Sequence, residues 1–100
     1  MTELIDRIAA LIAGSEHDLD SIERTLTDGY AHALSLEAER HRLEKRLTEV
    51  AQELHAGDPD ANTRELSRLA ERLGGNADEL VALRGHLSDL RRHAQEIRAA

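Results

Sequence analysis

The chain has 100 residues, 33% of them charged and 40% hydrophobic, with one aromatic, no cysteine and a formal charge of −7. A chain this short closes around a single core, and the absence of cysteine excludes a disulfide framework, a thiol nucleophile and a cysteine-ligated metal. Residues 1–39 hold nine acids and two bases while residues 40–100 hold eleven of each, so the whole net charge arises at the N-terminal end, on a surface that repels phosphate and anionic lipid.

Ala, Glu, Lys, Leu and Arg fill 56 positions, the composition of long helices and coiled coils. No apolar run approaches the roughly 18–20 residues needed to cross a bilayer, and Glu3 and Asp6 stand where a secretory signal would be basic. These features point to a cytoplasmic protein with no membrane partner. Twelve Arg against one Lys, with abundant Ala, suggest a GC-rich bacterial genome.

The first predicted element is a short amphipathic helix within residues 1–14, where Leu4, Ile5, Ile8, Leu11 and Ile12 form one apolar stripe. Gly14 reads as a C′ stop. Ser15, with Asp18 in the following turn, reads as the N-cap of a second helix over 15–56. Within it, Leu19, Ile22, Leu26, Gly29, Ala33, Leu36, Arg40, Leu43, Leu47, Val50 and Leu54 occupy alternating a and d positions of a heptad. A turn is expected at 57–60, through Gly57, Asp58, Pro59 and Asp60. A third helix over 61–98 carries Leu66, Leu69, Leu73, Asn76, Leu80, Leu83, Leu87, Leu90, Ala94 and Ile97 in the same repeat. The heptad keeps its phase across Gly74-Gly75, which argues against a break there. The rival reading takes those glycines as a stop, with Asn76 and Glu79 as a new capping box, and gives a three- or four-helix bundle.

Folding the third helix back on the second makes every a residue face a d residue, from Val50 with Leu66 through Leu43 with Leu73 and Leu36 with Leu80 to Leu19 with Ile97. Gly29 falls opposite Leu87, a small residue beside a large one, and the irregular polar entries Arg40 and Asn76 coincide as a layer that would set the register. At the flanking e positions Glu23 is expected near Arg91 and Tyr30 near Arg84. At the g positions level pairing would oppose like charges, so Glu39 reaches instead toward Arg72 and Arg46 toward Glu65. The fold class is therefore all-α: a short N-terminal helix followed by a long antiparallel hairpin over 15–100, one domain overall.

No constellation for catalysis emerges. Of the six histidines, none lies three residues after a Glu, as a helical di-iron site requires, and His32 with His86 is at most a pair of solvated side chains beside the seam. No metal or other cofactor is expected, and no Ser-His-acid set or phosphate-cradling Gly loop is present. In length and helix order the chain resembles the all-helical chorismate mutases, with Arg64-Glu65 after the acidic turn. That resemblance would imply a cation-lined site, but the family's Lys twelve residues earlier is Gln52 here, and architecture alone carries no activity. The bases Arg40, Arg42, Lys45, Arg46, Arg64, Arg68 and Arg72 are interleaved with acids and have no aromatic among them, so no nucleic-acid partner is expected.

Apolar residues off the seam point to a partner. Tyr30, Ala31, Leu34 and Ala38 on one helix and Ala77, Val81 and Ala82 on the other need cover. The first helix spans about 16 Å while Leu34 lies about 28 Å from Ser15, out of its reach. The expected interaction surface is Leu4, Ile5, Ile8, Leu11, Ile12, Tyr30, Leu34 and Val81, serving a non-catalytic module that docks on a protein partner or on itself as a homodimer.

Overall fold

The computed structural model describes residues 1–14, 18–54 and 59–100. Among these the chain is all-α, with α1 Thr2–Ala13, α2 Leu19–Glu53 and α3 Pro59–Ala99.

Local chemistry explains the helix ends. Gly14 stops α1, its amide bonded to the Ala10 carbonyl at 2.9 Å, but it does so in an extended conformation (φ −71°, ψ 151°) and not in the left-handed one expected of a C′ glycine. The expected N-cap Ser15 lies outside the described residues. Asp18 caps α2, its carboxylate accepting from the Ser21 amide at 3.2 Å and the Ser21 hydroxyl at 2.6 Å; these bonds hold the Asp18 carboxyl below its ordinary pKa. Of the expected turn, Gly57 and Asp58 lie outside the described residues, whereas Pro59 and Asp60 already belong to α3. Proline suits the first helical position because its missing N–H would have no partner there and its φ is preset. Asp60 in the first turn and Arg98 in the last complement the helix dipole.

The break considered at Gly74-Gly75 does not occur. Both residues are helical, and no glycine among the described residues has a positive φ. Two glycines cost a helix interior about 2 kcal/mol relative to alanine, which the apolar seam on both sides of them outweighs.

The described residues divide into two compact units: Met1–Leu34 with Val81–Ala100, and Ser35–Leu80. The second unit is a two-helix antiparallel hairpin. Leu43, Val50 and Leu69 form its core with Leu47, Leu66 and Leu73 packed against them, and Leu36 and Leu80 are also buried. On its g flank Arg46 forks onto Glu65 with bonds of 2.7 and 3.2 Å, raising the guanidinium pKa and lowering the carboxyl's, and Arg72 reaches Glu39 at 3.5 Å. These are the pairs that charge selects over the like-charged level ones.

The first unit contains α1, the first half of α2 and the last part of α3. Ile8, Ile22, Leu83 and Leu90 are fully buried, with Leu87 and Ala94 nearly so. Gly29 is required here: a Cβ would run into Cδ2 of Leu87 and lie 3.3 Å from its Cγ. On the e flank the observed pairs are Arg98 with Glu23 and Arg91 with Tyr30, one heptad along from the expected Glu23–Arg91 and Tyr30–Arg84. Helical side chains lean toward their own N-terminus, so on antiparallel helices Arg91 and Tyr30 lean toward each other.

Candidate interaction surface

In the first unit α1 takes one flank of the α2–α3 seam. Arg7 donates to the Thr25 hydroxyl at 3.2 Å and to the Asp28 carboxylate at 2.6 Å. Thr25 and Asp28 occupy g and c positions, so α1 sits on the g side. Ile8 is its anchor, with no exposed surface, and Thr25 is buried at 3% exposure. Leu4, Ile5 and Leu11 are half-buried, while Ile12 stays exposed. Of the N-terminal stripe expected to form an outward surface, Ile8 is thus spent inside its own unit, because α1 folds onto the hairpin that the heptads build. A shallow cleft remains beside α1, lined by Arg7, Leu11, Arg24, Thr25 and Asp28. Its Arg7 guanidinium is already neutralised by Asp28.

The opposite flank is different. Tyr30 is an e residue, and Leu34 and Val81 are the b residues beside the e lines of their helices. On a 3.6-residue wheel e and b point to the same side, away from g. The Arg91–Tyr30 bond confirms that the e lines of α2 and α3 share a flank. There Leu34 is 66% exposed, Val81 72% and Tyr30 42%. The same flank carries Asp20 and Glu23 toward the start of α2 and Arg84 and Arg91 on α3, all exposed. Arg91 has its pKa raised by its bond to Tyr30. Next to Val81, Gly85 faces open space, with nothing within 4 Å of where its Cβ would be.

The expected Arg40–Asn76 layer, in the second unit, does not form as a pair. Asn76 is buried at 5% exposure, and its amide donates to the Leu36 carbonyl at 2.9 Å, while Oδ1 is buried without a hydrogen-bond partner. Arg40 is half-buried: it lies 3.7 Å from Glu44, and its Nε, like Oδ1 of Asn76, is buried without a hydrogen-bond partner.

Among the described residues no group of three or more His, Asp or Glu is placed to hold a metal ion, and no helix is long and apolar enough to cross a membrane. His32 and His86 are half-buried g residues, and Nε2 of His32 is buried without a hydrogen-bond partner. Arg64 and Gln52, where the chorismate mutase resemblance is strongest and where it departs, are both exposed. Comparison with protein-family models, with curated proteins and with solved structures finds no match.

Proposed function

We propose that the chain is a non-catalytic helical docking module, and that its working surface is the e-side flank of the first unit, centred on Leu34 and Val81. The observation carrying this reading is that α1 covers the g flank and leaves two large aliphatic side chains, on the same flank as Tyr30, about two-thirds exposed or more. Single exposed apolar residues are ordinary, but several gathered on one face among charges mark contact surfaces. Several bases of the second unit are engaged by acids, Arg46 by Glu65 and Arg72 by Glu39, which supports a protein partner over nucleic acid. A bacterial, cytoplasmic setting fits the composition and belongs to the same reading.

The test is site-specific photo-crosslinking in the native host. A photoreactive residue in place of Leu34 or Val81 should give an adduct of one defined mass, and the same residue at the exposed Arg42 should give none. Absence of any adduct from both Leu34 and Val81 overturns the docking surface.

A further inference from the structure

Resting on that surface, we propose that its occupant is a second copy of this chain, related by a two-fold axis running along the helices, so that Leu34 of each copy packs on Val81 of the other. The flank is self-complementary in two respects. The first is level: in the antiparallel hairpin Leu34 and Val81 lie at nearly the same height, and rotation about an axis parallel to the helices preserves height while exchanging the α2 side for the α3 side. Each aliphatic side chain then meets the other without any shift along the axis.

The second is charge. On the e and b lines that make up this flank, α2 carries Asp20 and Glu23 and no base, whereas α3 carries Arg84, Arg91 and Arg98 and no acid, Glu23 and Arg98 being already paired within the chain. The α2 side of the flank is acidic and the α3 side basic. Rotation about an axis along the helices lays acid over base at both edges, while a two-fold across the helices would lay acid on acid and base on base. Complementary rims steer association and reject the wrong arrangement. The first arrangement also leaves every neighbouring helix pair antiparallel, as in up-down bundles, and two-fold dimers are the commonest closed assemblies.

The experiment combines light scattering with cysteine crosslinking, which the cysteine-free chain makes clean. The unmodified chain should scatter as a dimer, and Leu34→Glu should weaken the dissociation constant at least tenfold while leaving the helical circular dichroism unchanged. Leu34→Cys and Val81→Cys chains, each oxidised alone, should stay largely uncrosslinked, and the mixture should yield a disulfide-linked heterodimer. A chain that remains monomeric at every concentration overturns the second copy as occupant, and efficient crosslinking of Leu34→Cys with itself overturns the axis. Failure here is separable from failure of the docking surface: a monomeric chain that still gives a photoadduct at Leu34, of a mass other than two chains, retains the surface and loses the second copy.

Discussion

Replacing Gly74 and Gly75 together by alanine tests the continuity of α3. Both glycines lie well inside α3, are exposed, and have nothing within 4 Å of an added Cβ. Neither has a positive φ, so alanine adopts the native backbone without strain. The gain is then the propensity difference, about 0.8–1 kcal/mol at each site and about 1.5–2 kcal/mol for the pair. For a chain of this size that raises the melting temperature by roughly 6–15 °C, read from the ellipticity at 222 nm and checked by urea unfolding. Gly29→Ala supplies the internal contrast. It receives the same propensity gain, but its Cβ collides with Leu87, which is only 2% exposed and has little room to swing away. Overpacking of about 1–3 kcal/mol should offset the gain, so this variant should melt no higher than the parent and up to several degrees lower. A lower melting temperature for the Gly74/Gly75 double variant would refute the reasoning, because it would mean that those residues adopt a backbone only glycine tolerates or pack against something.

Three further outcomes are expected. Asn76→Leu removes a buried oxygen with no hydrogen-bond partner at the loss of one bond to Leu36; a desolvation cost of about 1–3 kcal/mol against a bond worth about 0.5–1.5 kcal/mol predicts a net gain near 1 kcal/mol, seen in urea unfolding, with a looser register seen as broadened distances between spin labels at Glu39 and Arg72. Ile8→Ala removes the fully buried anchor of α1 and should cost about 2–4 kcal/mol, appearing as fast hydrogen exchange throughout Thr2–Ala13 while the amides of Ser35–Leu80 remain protected. Asp18 and Glu65 have carboxyl pKa values lowered by their hydrogen bonds to Ser21 and Arg46. Their contributions are therefore present above the unfolded-state values and are lost as pH falls below about 4 through the depressed folded ones; Asp18→Asn and Glu65→Gln should flatten the acid limb of a stability–pH profile.

The three helices and the antiparallel partnership of α2 with α3 were legible from residue spacing, because a repeat of apolar residues along one chain dictates both the face each helix buries and the level at which two such faces match. Gly29 opposite Leu87 was readable for the same reason, and the Arg46–Glu65 and Glu39–Arg72 pairs followed once like charges were set against each other. The helix ends were less legible: Asp18 caps α2, the expected cap Ser15 lying outside the described residues, and Pro59 opens α3 where a turn was expected, since capping depends on backbone geometry that several neighbouring polar residues could supply.

What the sequence by itself determined is thus the helical class and the seam, properties set by periodicity and by short-range sterics. Only the tertiary structure decided that Ile8 is consumed as an internal anchor, that α1 takes the g flank, that the Asn76 amide bonds the Leu36 carbonyl and not Arg40, and that the e-flank pairs slip by a heptad. Each of those choices depends on how far a side chain reaches and which way it leans once two helices stand side by side, and neither quantity is encoded in spacing along a single strand of text. The exposed flank of Tyr30, Leu34 and Val81 is the remainder of that arrangement: the side opposite the one the first helix takes.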